Sequence, residues 1–366
     1  MSLLFLFLGL AILTLGAELL VRGASRLAVG LGITPLVVGL TVVAYGTSAP
    51  ELVVSVQSAL AGQSDLALGN VVGSNIFNVL FILGVSALIV PLKVDQKLIR
   101  FDVPLMIGLS GLVLVLGWDG RLGPIEGAVF LLGLIAYTAW AIISSRRESA
   151  KIETEYADEF GASGTKPTIT ANLLQVGLVL GGLVLLVLGA KWFLFGAIEI
   201  ARHLGVSELV IGLTIVAAGT SLPEVATSIV AAIRGERDIA VGNVVGSNLF
   251  NIMGVLGLSA LVSKGGIQIS DSALAVDIPI MFGVAIACLP IFATGNVISR
   301  WNGAVFLGYY IAYTLAIGLA AVQHRAGPTF NQAMLWFVLP LTALAIGTSW
   351  VRHWRAQRDS ATARAE

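Results

Sequence analysis

Long apolar runs broken by short polar stretches occupy nearly the whole chain. They predict helical spans near Ser2–Val21, Ile33–Leu60, Leu66–Val90, Phe101–Gly117 and Gly123–Ile143. After a polar stretch, Ser144–Thr170, come Ala171–Phe195, Val206–Ile233, Ile239–Val262, Ser272–Ala293, Trp301–Val322 and Ala333–Val351. Many of these reach the roughly 20 residues with which a helix crosses the hydrocarbon core of a bilayer. The short alternating segments of a membrane β-barrel are not seen. The expected fold class is therefore an all-α polytopic membrane protein. The first run has no basic segment before it and reads as a membrane helix rather than a cleaved signal peptide.

The spans fall into two matching sets. Gly46-Thr-Ser-Ala-Pro-Glu51 recurs as Gly219-Thr-Ser-Leu-Pro-Glu224, and Gly69-Asn-Val-Val-Gly-Ser-Asn75 recurs as Gly242-Asn-Val-Val-Gly-Ser-Asn248. An offset of 173 residues relates both pairs, and it holds without a gap from Gly16 to Leu88. Between Gly39 and Leu88 about three-fifths of positions are identical, more than shared hydrophobicity supplies. The reading divides the chain into a first five-span repeat (1–143), a cytoplasmic linker loop (144–170), a second repeat (171–322) and an extra span with a basic tail (323–366). The most similar segments are 39–88 and 212–261. An odd number of spans per repeat makes the two repeats enter the membrane from opposite sides, the inverted architecture of secondary transporters. The eleventh span lies outside the repeat and reads as an accessory packing helix.

Composition agrees with the spans. Of 366 residues, 57% are hydrophobic and 11% charged, against about 25% charged in soluble domains. Formal net charge is zero, which gives no electrostatic case for nucleic acid. The single cysteine, Cys288, excludes an intrachain disulfide and a thiolate metal cage. His203, His324 and His353 are too scattered for a local metal cluster. Of the 21 basic residues, sixteen fall on the inner side if the N-terminus is outside, and only Arg121, Lys191, Arg202, Lys264 and Arg325 fall outside. The positive-inside rule favours that orientation, with the linker loop and tail cytoplasmic.

The repeated blocks carry the chemistry. A carboxylate at a helix centre costs about 2.5–3.5 kcal/mol on insertion scales, and this chain places one there twice in the same context. Gly46 weakens the helix, and Pro50 lacks an N–H and clashes with the carbonyl four residues back. Carbonyls near Ala44 to Thr47 are expected to be partly free, which a membrane tolerates only inside protein or along a cavity. Free carbonyls, hydroxyls and carboxylates are hard oxygen ligands that suit Ca²⁺ or Na⁺. Glu51 follows Thr47 by four residues, so the two are expected on one helix face, which Ser55 extends. Ser74 and Asn78 form a polar stripe on the next span, and Gly69 and Gly73 allow close helix approach. Thr220, Ser221, Glu224, Ser228, Ser247 and Asn251 repeat the arrangement. Two facing carboxylates need a cation between them, or a proton on one. A kinking proline and self-bonding hydroxyls would explain one block alone; two matched blocks favour a shared site. Glu18, Lys191, Asp102 and Asp277 lie near predicted span ends, where snorkelling is the default, and Glu126 and Glu199 read as boundary residues. The cluster Glu153, Glu155, Asp158 and Glu159 lacks EF-hand spacing and reads as a solvated loop.

These motifs closely resemble the α-repeats of the cation/Ca²⁺ antiporter superfamily, in particular its Na⁺/Ca²⁺ exchanger branch. The resemblance covers Ser2 to Val322. The H⁺/Ca²⁺ branch typically has Gly-Asn-Ala before its glutamate, and this chain does not. The resemblance implies ten core helices in two inverted halves. It implies a central Ca²⁺ held by Glu51, Glu224 and the carbonyls of Thr47 and Thr220. It implies Na⁺ sites drawing also on Ala44, Ser48 and Ser74 from one half and Ala217, Ser221 and Ser247 from the other. Asn78 and Asn251 would complete the central diamond. Some such exchangers have Asp where this chain has Asn251, so the number of Na⁺ per Ca²⁺ stays open. The eleventh helix is a second departure. The short central loop carries no regulatory domain, as in a prokaryotic type at the cell's inner membrane.

The expected function is a secondary-active antiporter that exports Ca²⁺ in exchange for Na⁺ by alternating access. It needs no cofactor, and its partners are Ca²⁺, Na⁺ and the lipid bilayer. A Ca²⁺/H⁺ antiporter on the same scaffold is the alternative, and a Ca²⁺-permeable channel a more distant one. An enzyme would need a nucleophile–base constellation or a metal cluster, and the spans offer neither. K⁺ dependence and oligomeric state are not legible.

Overall fold

In a computed structural model the chain is described over residues 1–160, 169–206, 217–322 and 326–340, with residues 211, 215, 343, 344, 347 and 348 besides. Most of the first part of the expected Val206–Ile233 span, much of Ala333–Val351 beyond residue 340 and the basic tail from Arg352 lie outside the described residues, as do the side chains of the Glu153–Glu159 acidic cluster. The helices are α1 (Ser2–Leu31), α2 (Pro35–Thr47), α3 (Ala49–Leu60), α4 (Ser64–Ile89), α5 (Leu98–Asp119), α6 (Pro124–Glu148) and α7 (Asn172–His203). They continue as α8 (Leu222–Ile233), α9 (Arg237–Val262), α10 (Ala273–Ala293), α11 (Arg300–Ala321) and α12 (Ala326–Ala333). Among the described residues eight helices are long and apolar enough to cross a membrane, and the bent pair α2–α3 makes a ninth.

Several boundaries differ from the hydropathy reading, each for a physical reason. Hydrophobicity ends near Val21, but α1 runs ten residues further, until Gly32 adopts a left-handed conformation (φ 64°) and caps it. The helix that begins at Pro124 continues through the polar stretch to Phe160, so much of the expected linker loop is helix. No glycine or proline interrupts residues 144–160, and Arg, Glu, Ala and Lys propagate a helix. The expected single span Ile33–Leu60 is two helices that meet at 48°.

Sequence-equivalent helices α1 and α7 pack antiparallel along their length. Small residues make this possible: a Cβ on Gly16 would lie 2.8 Å from Leu186 N, and one on Gly189 would lie 2.6 Å from Leu13 N. The backbones therefore approach as closely as small-residue membrane interfaces allow.

Two short ladders give the sense of the remaining helices. β1 (Leu92–Lys93) follows α4, β2 (Arg121–Leu122) follows α5, β3 (Ile267–Gln268) follows α9 and β4 (Val297–Ile298) follows α10. β1 pairs antiparallel with β4, and β2 with β3. Helix α5 thus runs from the β1–β4 end to the β2–β3 end, and α10 runs the opposite way.

Burial ranks the helices from centre to rim. In its apolar window 89% of α9 is buried, against 72% of α4 and 6% of α11. Helices α4 and α9 are the core on which the other elements stand. Exposed Leu132, Ile135, Leu173, Leu180 and Ile311 on the outer helices form the apolar exterior a bilayer requires.

Candidate functional site

The site begins with two matched bends. Ser48 (φ −82°, ψ 10°) and Ser221 (φ −88°, ψ 9°) occupy the same sparsely populated bridge conformation. Each precedes a helix with proline in its first turn, where the missing N–H costs nothing. The bend removes Glu51 from the helix that holds Thr47, so the two do not share one continuous face as their spacing suggested. Glu51 does share a buried face with Ser55 on α3. The carbonyls in this window are less free than expected: Ala44 O accepts Ser48 N–H at 3.0 Å and the Thr47 hydroxyl at 3.3 Å, and Gly46 O accepts an N–H of the bend.

Both carboxylates are buried, with Glu51 at 0% and Glu224 at 1% exposure. Each is reached by the serine of the other half. Ser48 Oγ donates to Glu224 Oε1 at 2.8 Å, and Ser221 Oγ donates to Glu51 Oε1 at 2.8 Å. Ser221 Oγ also lies 3.3 Å from Ser74 Oγ. These reciprocal bonds bring the two halves to one locus, which Ser74 of α4 joins through Ser221, while Asn78 of α4 and Ser247 and Asn251 of α9 are buried on the same two central helices. Asn78 and Asn251 each begin a wider π-helical turn, Asn78–Leu83 and Asn251–Leu256, a local distortion found often at functional sites. Ala217 lies in the short turn Ala217–Gly219 just before the second bend.

Second residues brace the first. Asn70 Nδ2 donates to Glu51 O at 3.2 Å and Ser55 Oγ at 2.9 Å. Asn243 Nδ2 repeats this with Glu224 O at 3.5 Å and Ser228 Oγ at 2.9 Å, and its Oδ1 accepts the Thr47 hydroxyl at 3.1 Å. Asn70 and Asn243 stood in the repeated motif, but nothing in their spacing assigned them a role.

Buried polar atoms are nearly always hydrogen-bonded. Among the described residues of this locus, six buried oxygens have no partner: Glu51 Oε2, Glu224 Oε2, Asn78 Oδ1, Asn251 Oδ1, Thr220 Oγ1 and Ser247 Oγ. All belong to the residues singled out from the sequence. Carboxylate, amide and hydroxyl oxygens with no thiolate or imidazole form a hard donor set that fits Ca²⁺ or Na⁺. Among the described residues no three His, Cys, Asp or Glu side chains come together as a metal cluster. The unpartnered oxygens of these residues are therefore largely neutral, with two acids among them.

One expectation about the remaining charges is overturned. Asp102 does not snorkel to an interface; it is 1% exposed, and Tyr137 Oη donates to it at 2.9 Å. The start of α5 is covered by α6, where the Trp140 ring lies 3.9 Å from that of Phe101. A gapped repeat carried the signal: Asp102-Val-Pro-Leu-Met106 recurs as Asp277-Ile-Pro-Ile-Met281. Glu18 is ion-paired with Arg22 and with Arg234 at 2.7 Å, which ties α1 to the end of α8.

Comparison with known proteins bears on the family and the fold. The family model described as sodium/calcium exchanger protein matches residues 1–143 and 174–319. The sodium/calcium exchanger MaX1 of Methanosarcina acetivorans is 32% identical over 305 residues, covering 75% of this chain and 87% of that protein. The inner membrane protein YrbG of Escherichia coli is 38% identical over 250 residues, covering 67% of this chain and 74% of YrbG. Among solved structures, the sodium–calcium exchanger NCX_Mj soaked with Na⁺ and Sr²⁺ superposes with a TM-score of 0.72 at 30% identity, covering 87% of this chain and 97% of that one.

Proposed function

The chain belongs to the sodium/calcium exchanger protein family, and from that premise we propose that it exports Ca²⁺ in exchange for Na⁺ through one shared site. Ca²⁺ is held by Glu51 and Glu224 with Thr47 and Thr220. Na⁺ takes the same carboxylates together with Ala44, Thr47, Ser48 and Ser74 from one half and Ala217, Thr220, Ser221 and Ser247 from the other. Asn78 and Asn251 supply neutral oxygens at the centre. The observation that carries this reading is the pair of reciprocal bonds, Ser48 to Glu224 and Ser221 to Glu51, that brings two buried carboxylates from opposite halves together, each with one oxygen left without a partner.

Coupling follows from charge. The two carboxylates together balance one divalent ion. A Na⁺ about 4 Å from a bound Ca²⁺ would be repelled by roughly 8 kcal/mol at an effective dielectric of 20, so the two ions exclude one another. Exclusive occupancy turns two gradients into one exchange when the site faces one side of the membrane at a time. The antiparallel relation of α1 to α7 and of α5 to α10 supports two inverted halves arranged about this locus. The N-terminus faces outward and the linker, residues 144–170, is cytoplasmic, because sixteen of the 21 basic residues then fall on the inner side. A prokaryotic inner membrane is the setting.

The test is Ca²⁺ flux in proteoliposomes with Na⁺, K⁺ and H⁺ gradients imposed one at a time. An outward Na⁺ gradient drives Ca²⁺ uptake, and K⁺ and pH gradients do not. Uptake driven by pH without Na⁺ would replace this reading with Ca²⁺/H⁺ antiport on the same scaffold. Flux that needs no counter-ion would replace it with a channel.

A further inference from the structure

Asn75 and Asn248 take no place in the ion site described above, yet each is buried, with no more than 3% exposure. Asn75 Nδ2 donates to the backbone carbonyl of Asn248 at 3.4 Å, and Asn248 Nδ2 donates to that of Asn75 at 3.3 Å. Each amide's other atom meets the asparagine one turn along the opposite helix. Asn251 Nδ2 donates to Asn75 Oδ1 at 3.1 Å, and Asn78 Nδ2 donates to Asn248 Oδ1 at 3.0 Å. Met281 Sδ and Met106 Sδ close the outer edge, 3.6 Å from Asn75 Nδ2 and 3.5 Å from Asn248 Nδ2.

The polarity of this lattice is forced. A backbone carbonyl only accepts, so the edge that Asn75 turns to Asn248 O must be its NH₂. Its other atom is then an oxygen, which also only accepts. Asn251 must therefore present its NH₂ to Asn75, which leaves Asn251 Oδ1 pointing away from the lattice. The same logic, started at Asn248, leaves Asn78 Oδ1 pointing away. Both of these oxygens are buried without a partner. Reversing Asn251 or Asn78 would set its oxygen against the oxygen of Asn75 or Asn248, acceptor against acceptor, and would put an NH₂ where the unpartnered oxygen now lies.

We propose that Asn75 and Asn248 are positioning residues that lock the amides of Asn78 and Asn251, so that the site presents two carbonyl-type oxygens to a cation. This rests on the shared-site reading above and adds to it how a neutral pair works where a carboxylate would need no orientation. A carboxylate offers oxygen in either rotamer; an amide does so in one of two. The lattice removes the wrong one before the ion arrives, so none of the binding free energy goes into ordering it.

The test is Ca²⁺ binding to the purified full-length protein, measured by equilibrium titration. Asn75→Leu keeps size but removes the acceptor for Asn251, and it weakens Ca²⁺ binding about tenfold, the effect of losing one oriented ligand. In an Asn251→Asp background the same Asn75→Leu change has less than about a threefold effect, because a carboxylate at that position needs no orientation. A structural role for Asn75 would cost the same in both backgrounds, and that result would overturn the proposal, as would wild-type binding by Asn75→Leu. If Asn75→Leu does not fold, Asn248→Leu with Asn78→Asp poses the same question from the other half. Glu51→Gln is the control on the underlying reading: if it binds Ca²⁺ as wild type does, the shared site itself is wrong, whatever Asn75 shows.

Discussion

At the scale of single residues, the two serines at the bends and the tyrosine over Asp102 make contrasting predictions. Ser48 and Ser221 each donate one charge-assisted hydrogen bond, at 2.8 Å, to the carboxylate of the other half. Such a bond is worth about 1.5–3 kcal/mol. Ser48→Ala and Ser221→Ala are each expected to weaken Ca²⁺ binding by about tenfold or more. Tyr137→Phe removes a hydrogen bond to a buried carboxylate away from the site. It is expected to destabilise the fold by about 1–3 kcal/mol and leave Ca²⁺ affinity unchanged. A paired measurement of melting temperature and binding isotherm checks both. A binding loss in Tyr137→Phe would place Asp102 in the ion site. The glutamates and serines were legible in the sequence because their chemistry is costly in a membrane and repeated. Asn75, Asn248, Asn70 and Asn243 were visible as letters but not as roles, since a role in a hydrogen-bond lattice depends on which helix faces which. Asp102 was misread because distance from a predicted span end says nothing about what covers that end.

At the scale of elements, the fold depends on close approach between α1 and α7. The gapless repeat was legible down to Gly16 and Gly189, but hydropathy could not show that these glycines lie in one contact between equivalent helices. A side chain at Gly16 would meet Gly182 O at 2.9 Å and Leu186 N at 2.8 Å, both backbone atoms that cannot give way locally. Gly16→Leu is therefore expected to push α1 from α7, lower the melting temperature and reduce transport. Gly108→Leu, at a glycine with open space around it, is expected to do neither. A loss in both variants alike would mean that membrane insertion, not the α1–α7 contact, is what glycine serves. Helix ends were the least legible feature. The extension of α1 to Leu31 and of the Pro124 helix to Phe160 follows from capping and helix propensity, which a search for apolar runs does not see.

At the scale of the whole molecule, two buried carboxylates from matching blocks become one site because the halves they belong to cross. Ser48 and Glu224 come from different halves, as do Ser221 and Glu51, Asn75 and Asn251, and Asn78 and Asn248. Neither half alone completes the proposed ligand set. Exclusion of one ion by the other is the central claim of the proposal. The direct measurement is equilibrium Ca²⁺ binding to the purified protein at stepwise increasing Na⁺, at constant ionic strength and pH. A single shared site predicts that Na⁺ raises the apparent Kd for Ca²⁺ without limit, while the number of Ca²⁺ bound at saturation stays fixed. A Ca²⁺ affinity that is indifferent to Na⁺, or that levels off while both ions stay bound, would contradict it.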